Sequence, residues 1–158
     1  MAGWPSLSPL RAITDHNRPA VLGLRVAAEQ EGFVAGVARS LRDAAEYPEL
    51  APWPRAVYAV ERPVGFVLLA DGVAEGNPDV PWPFYLWRML IDGRSQSLGY
   101  GRAALDAVVA HLRSRPIARE LVTSVVLGEG SPLGFYLRYG FVDTGKMFDH
   151  ERLLRLAR

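Results

Sequence analysis

Apolar positions recur with a helical period in some stretches and alternate or run together in others, and this switching predicts an order of elements. Leu10 to Thr14 reads as a short first strand. Asp15 or Asn17 stands where a helix cap belongs. Val21, Leu22, Leu24, Arg25 and Ala28 then form a stripe that predicts a helix through Glu29, interrupted at Gly32. Ser40 predicts the cap of a second helix, Leu41 to Tyr47, with Asp43 in the place of a capping-box acid. Pro48, Pro52 and Pro54 predict its end and a turn. Ala56 to Val60 and Val64 to Ala70 read as an antiparallel hairpin, and Asp71 to Pro83, with Pro78, Pro81 and Pro83, as a loop. Phe84 to Asp92 is apolar on both alternating faces apart from Arg88 and Asp92, the pattern of a strand in mid-sheet. Gly99 to Arg113 has an amphipathic helix period, closed off by Pro116. Leu121 to Leu127 reads as another buried strand. Ser131-Pro132 predicts the start of a short helix to Tyr139, with Gly140 as its left-handed end. Phe141 to Thr144 and Met147 to Leu156 read as the last strands.

This order predicts an α+β (mixed α/β) fold around a mostly antiparallel sheet. The 158 residues are enough for one domain with a real core, expected over residues 10–158 behind a loose lead-in, Met1 to Pro9. There is no cysteine, so disulfides, thiolate nucleophiles and cysteine metal sites are excluded. His16, His111 and His150 show no ligand spacing, and no metal is expected. No apolar run approaches the roughly 18 residues of a membrane span, and the first residues lack a signal peptide's pattern. A cytoplasmic protein without a membrane partner is expected.

Charge changes the picture in its distribution. The net value of +1 argues against nucleic acid as the main partner. Residues 29–49 carry Glu29, Glu31, Asp43, Glu46 and Glu49 against Arg39 and Arg42. Residues 88–119 carry Arg88, Arg94, Arg102, Arg113, Arg115 and Arg119 against Asp92 and Asp106. An acidic first third and a basic middle suit a cationic substrate meeting an anionic cofactor; two solvated faces would give the same pattern.

The basic middle holds the most specific stretch, Gln96-Ser97-Leu98-Gly99-Tyr100-Gly101-Arg102, between a strand and a helix. Glycines at a helix start let the backbone approach an anion, and the first N–H groups of the helix have no internal partner. Arg94 and Arg102 at this end oppose the helix dipole but suit phosphate oxygens. Gly99-x-Gly101-x-x-Ala104 also fits the dinucleotide fingerprint. However, six residues separate Asp92 from Gly99, and residues 121–126 hold no acid for a ribose. A Walker loop is excluded, since no Gly-Lys-Ser/Thr exists.

Gln96-x-x-Gly99-x-Gly101 after a strand and opening a helix resembles the acyl-CoA signature of the GNAT superfamily of N-acetyltransferases. Downstream, Phe135-Tyr136-Leu137-Arg138-Tyr139-Gly140-Phe141 resembles that superfamily's tyrosine and Gly-Phe element, and the order of elements agrees from Leu10 to Leu156. Leu86-Trp87-Arg88-Met89, Val64-Gly65-Phe66-Val67 and Glu29-Gln30…Phe33-Val34 are similar to the bacterial branch that acetylates spermidine and spermine. One position departs: Glu129 stands where the family often has an asparagine.

The resemblance implies a twisted sheet of about seven strands flanked by about four helices. It implies direct acetyl transfer from acetyl-CoA to a primary amine of a small polyamine-like substrate. The same chemistry on an aminoglycoside, amino acid or protein N-terminus, or a non-catalytic acyl-CoA-binding module, are the alternatives. The backbone of Met89, Leu90 and Ile91 would pair with the pantetheine arm. Ser97, Leu98, Gly99, Tyr100, Gly101 and Arg102 would hold the pyrophosphate, with Gln96 as a side-chain donor. Tyr136 would protonate the leaving thiolate, as a phenol can at neutral pH. Glu29, Gln30, Phe33, Trp87 and Arg88 are the substrate-side candidates, with a structural ion pair as the other reading of Arg88. The base stays open among Glu29, Glu61, Asp92, Glu129 and Glu151. Pairing as a homodimer is compatible with the resemblance.

Overall fold

The computed structural model describes residues 9–157, so all but Pro9 of the expected lead-in lies outside the described residues. Seven strands form one sheet: β1 (Leu10–Ala12), β2 (Pro52–Ala59), β3 (Arg62–Asp71), β4 (Phe84–Ile91), β5 (Glu120–Val125), β6 (Val142–Phe148) and β7 (Glu151–Ala157). Their spatial order is β1-β2-β3-β4-β5-β7-β6, antiparallel throughout except for the β4–β5 pair. Four helices flank it: α1 (Arg18–Leu22), α2 (Val37–Glu46), α3 (Tyr100–Arg113) and α4 (Leu133–Tyr139). The expected α+β architecture is therefore the one observed.

β3 is the apolar spine. Val64, Phe66, Val67, Leu68, Leu69 and Ala70 are all fully buried, because helices cover both faces. Phe66 and Leu68 meet Val21, Val37 and Ala44 of α1 and α2 on one side. Val67 and Leu69 meet Ala104, Leu105, Val108 and Leu112 of α3 on the other. Alternate residues of one strand thus build two cores.

Four expectations are corrected. The first helix ends at Leu22, well short of Glu29, and only Ala28–Gln30 resumes as a 3-10 turn. The cause is tertiary: the Arg25 N–H donates to Asp92 Oδ2 at 3.1 Å, and the Gly93 N–H donates to the Arg25 carbonyl at 2.7 Å. These bonds pull the backbone out of the helix that its apolar spacing favours. Ser40 does not cap α2, whose cap position is Gly36. It lies buried inside the helix with its hydroxyl on the Gly36 carbonyl, and Asp43 pairs with Arg88 instead of capping.

Pro52 and Pro54 belong to β2 rather than to a turn. β1 pairs only with Val57, Ala56 and Arg55, so the first residues of β2 lie on a free edge where a missing N–H costs nothing. Met147 lies near the end of β6 instead of opening the last strand. The chain reverses at Asp149 and His150, both with positive φ (48° and 68°), as a tight two-residue hairpin requires.

Asp92 is the fastener of this region. Its side chain is 4% exposed and takes bonds from the Arg94 guanidinium, the Arg25 N–H and the Arg94 N–H. The Arg94 bond, reinforced by the two backbone donors, holds its pKa down at about 2 against an ordinary 3.8. A carboxylate depressed in the folded state stabilises fully above the unfolded pKa and loses that contribution as pH falls through the folded one. Asp92→Asn is therefore expected to destabilise the protein by about 2 kcal/mol at pH 6. That deficit should close as pH drops from about 4 to about 2 in denaturant titrations. An unchanged deficit at both ends would show that the charge is not what holds the segment.

Candidate functional site: a cleft where two strands part

β4 and β5 pair only at Tyr85↔Val122 and Leu86↔Thr123. Beyond that point the ladder stops. The buried Thr123 hydroxyl donates to the Leu86 carbonyl at 2.9 Å, and β5 continues against β7 through Ser124 and Val125 while β4 stays with β3. Trp87 is a bulge on the β3 side, unpaired between Leu68↔Arg88 and Leu69↔Leu86. A mid-sheet strand was expected to be covered on both faces; Trp87, Arg88 and Met89 are half-open because their neighbour has left.

A cavity of ≈ 640 Å³ follows β4 to the start of α3. Met89, Leu90 and Ile91 form one wall, Ser97 and Gly99 to Arg102 its end, and Phe135, Tyr136 and Arg138 of α4 the opposite wall. Gly99 precedes α3 in the left-handed region (φ 87°), and Ser97 is left-handed as well (φ 64°). The N–H groups of Tyr100, Gly101 and Arg102 open a 14-residue helix and have no carbonyl within it to bond. A Cβ on Gly101 would sit 3.1 Å from the Phe135 ring, so the glycine keeps this wall flat. Bare N–H groups, a helix N-terminus, and Arg102 and Arg138 at one end fit a pyrophosphate; the apolar strand wall fits an uncharged arm.

Gln96 acts here as a strut: its amide donates to the Ile91 carbonyl at 2.9 Å and to Gln30 Oε1 at 2.6 Å. It closes one backbone acceptor of β4 and ties the 3-10 turn to the glycine loop.

A second cavity of ≈ 310 Å³ lies across Tyr136 from the first. Trp87, Arg88, Ser124, Glu151, Glu31 and Arg39 line it, and Phe33, Val34, Met89, Pro132 and Tyr136 border both. Tyr136 is 5% exposed, edge-on to Phe135 (5.2 Å) and Phe141 (5.3 Å), and burial pushes its phenol well above the ordinary tyrosine value. It thus stays a phenol at neutral pH. Tyr139 is different: its hydroxyl is held by Asp106 of α3 at 2.8 Å, outside both cavities. Arg88 reaches the second cavity with its charge already matched by Asp43 at 2.7 Å.

The cleft gathers Met89, Leu90, Ile91, Gln96, Ser97, Gly99, Tyr100, Gly101, Arg102 and Tyr136 with Gln30, Phe33, Trp87 and Arg88. Leu98 is 65% exposed and Glu29 is also exposed; neither lines either cavity. Gln30, expected beside the substrate, lies in the first cavity on Gln96. Sequence reading missed Arg138, Ser131 and Ser124. Gly134, four residues before Arg138, was the signal: its absent side chain lets Nη1 fold back to 3.0 Å from a would-be Cβ. Ser131 takes up the turn after Glu129: its hydroxyl donates to the Val126 carbonyl and accepts from the Leu133 N–H at 3.2 Å. Glu129 itself is exposed. Among the described residues no cluster of three metal-ligating side chains occurs, and no helix is long and apolar enough to cross a membrane.

Comparison with known proteins agrees with this geometry. The model of the acetyltransferase (GNAT) family matches residues 24–141. A spermine/spermidine N(1)-acetyltransferase of Bacillus subtilis is 27% identical over 146 residues, 92% of this chain and 95% of the relative. The GNAT domain of S. lividans PAT superposes with a TM-score of 0.71 at 16% identity, covering 94% of this chain and 89% of that one. An aminoglycoside acetyltransferase, AAC(6')-Ib, solved with coenzyme A, gives 0.71 at 15% identity, covering 94% of each chain.

If the glycine turn is the anion cradle, Gly101→Val and Gly99→Val should weaken acetyl-CoA binding at least about tenfold by calorimetry. The first would act by driving Phe135 into the cleft, the second by straining a left-handed residue. Unchanged affinity in both would remove the cradle.

Proposed function

We propose that this chain, which belongs to the acetyltransferase (GNAT) family, moves the acetyl group of acetyl-CoA directly onto a primary amine of a small polyamine-like acceptor. The observation that carries the reading is the meeting of two unlike cavities at one buried phenol. The longer has a bare helix N-terminus and arginines at one end. The shorter has an aromatic wall and carboxylates.

When bound, acetyl-CoA supplies the thioester. The chain's own residues do the rest. The glycine turn and the start of α3 anchor the anionic end, and the edge of Met89 to Ile91, its Ile91 carbonyl already taken by Gln96, receives the arm along β4. Tyr136, dry and protonated, stands at the junction to give its proton to sulfur as the C–S bond breaks. The chain has no cysteine, so no acyl-enzyme thioester can intervene. Trp87, with Arg88 stacked 5.6 Å from its ring, offers a face to an aliphatic cation, and the Arg88–Asp43 pair keeps that arginine from repelling it. The polyamine reading draws further support from the Bacillus relative's name; an aminoglycoside acceptor is the alternative suggested by the structural neighbour. We read residues 10–158 as one catalytic domain working in the cytoplasm.

The test is titration of acetyl-CoA, then of spermidine and of an aminoglycoside, following free CoA thiol. Binding with thiol release on spermidine is the expected result. Release on the aminoglycoside alone would change the acceptor, and binding without release on any amine would leave only a CoA-binding module. Tyr136→Phe should lower kcat by about 10²-fold while acetyl-CoA affinity holds, as for the loss of one general acid.

A further inference from the structure

Of the carboxylates that the sequence leaves open as the base, the fold removes four. Glu29 and Glu129 are exposed and outside the acceptor cavity. Glu61 is 81% exposed and leans on Arg11. Asp92 is bound on every side as a structural fastener. Glu31 reaches the cavity only from its exposed rim. Glu151, at the first position of β7, is half-buried and lines the cavity wall.

Glu151 is also held. Ser124 of β5 donates to Glu151 Oε1 at 2.9 Å, so its single proton is committed and the Tyr85 hydroxyl, 2.5 Å away, must be the donor to Ser124. Burial keeps Tyr85 a phenol, with its pKa pushed up to about 12 although the Ser124 bond works in the opposite direction. A three-member chain from mid-sheet thus ends on one carboxylate oxygen in the cavity and leaves the other without a partner in that chain. We propose that Glu151 is the catalytic base: it receives a proton from the acceptor ammonium, fixed in place by the Ser124–Tyr85 chain, on the acceptor side of Tyr136. The inference rests on the acetyl-transfer reading above.

The ammonium gives one proton to Glu151 and becomes a free amine. Its lone pair forms the N–C bond at the thioester carbonyl, and the C–S electron pair leaves with sulfur. Tyr136 protonates sulfur, and the second nitrogen proton restores the phenol. The proton on Glu151 passes to solvent.

Charges facing Glu151 set its strength. Burial raises its pKa above the ordinary glutamate value and Asp149 of the hairpin turn adds to this; the Ser124 bond and Arg88 of β4 work in the opposite direction. Glu31 and Arg39 stand across the cavity with opposite signs, and Tyr136 is neutral. A carboxylate whose pKa is raised is, in its ionised form, a stronger base than an exposed one.

The experiment is the pH profile of kcat/KM on spermidine for the native protein, Glu151→Gln and Ser124→Ala. With Glu151 as base, the native profile is flat between the carboxylate's pKa and the amine's, because ionised base falls in for protonated acceptor. Glu151→Gln must wait for free amine. Its activity should be about 10²-fold down at pH 7 and climb roughly tenfold per pH unit, closing on the native value at alkaline pH. Ser124→Ala removes a donor that lowers the carboxylate's pKa, so the flat region should persist with its acid edge moved to higher pH. Acetyl-CoA affinity should be unchanged in both. A Glu151→Gln deficit that is constant with pH would assign the residue a merely structural role and overturn the proposal, as would a native-like profile. Should Glu151→Gln not fold, an acid edge unmoved in Ser124→Ala overturns it as well. A native protein that binds acetyl-CoA and acetylates no amine overturns the acetyl-transfer reading itself, and this inference with it.

Discussion

The parting of β4 from β5 after two paired registers is the constraint on which the site depends. A continuous parallel ladder would have joined the edges of β4 and β5 and left no slot. The side chain of Thr123 ends the ladder by taking the Leu86 carbonyl, and β7, paired with β5 along its whole length, holds it on its own course. The opening then needs a floor and a lid that do not collapse into it. α3 supplies the floor through Ala104, Leu105 and Val108, buried against β3 and β4. α4 supplies the wall, with Phe135, Tyr136 and Phe141 in edge-to-face contact. Interiors are close-packed, so a stable void in mid-sheet has to be framed by side chains that are themselves locked.

The same opening orders the electrostatics. At one end of the cleft lie bare N–H groups, Arg102 and Arg138; on the far side of Tyr136 lie Glu151 and Glu31. Two arginines also border the second cavity, which on counting alone would neutralise it. Asp43 of α2 decides the matter: it sits 2.7 Å from Arg88 of β4 and 3.8 Å from Arg39 of its own helix, so both guanidiniums face one carboxylate. A half-buried pair of this kind contributes little to stability but leaves the cavity's remaining carboxylates to set its sign.

What could be read from the sequence follows from how locally each part is built. The first cavity, proposed for the cofactor, is contiguous: Met89 to Ile91 and Gln96 to Arg102 are within one strand–turn–helix, and the glycines that shape it announce themselves. The second, proposed for the acceptor, is assembled from β4, β5, β7, α4 and the segment before α2, and no short pattern marks Ser124 and Glu151 as neighbours. The misplaced first helix has the same origin. Val21 to Ala28 has the spacing of a helix, but Asp92 and Gly93 hold Arg25 extended from across the fold. In the case of Ser40 and Asp43, a capping pattern was present but its carboxylate was needed by Arg88 on β4. Local rules fail here at the residues that couple α1 and α2 to the cleft, where tertiary partners outbid propensity.

Tyr136 shows why such coupling is required. A phenol is a weak acid, and burial makes it weaker still, so it can serve only a base that appears at close range and in fixed orientation. An α4 of seven residues could not hold it by helix strength alone, since short helices are marginal without tertiary support. Phe135 holds one edge and itself rests where Gly101 leaves room; Phe141, just past the left-handed Gly140, holds the other. The glycine at the start of α3 therefore also seats the ring that positions Tyr136. The turn proposed to anchor the cofactor and the phenol proposed as acid are mechanically one unit: a side chain at 101 would press on Phe135 and through it on Tyr136.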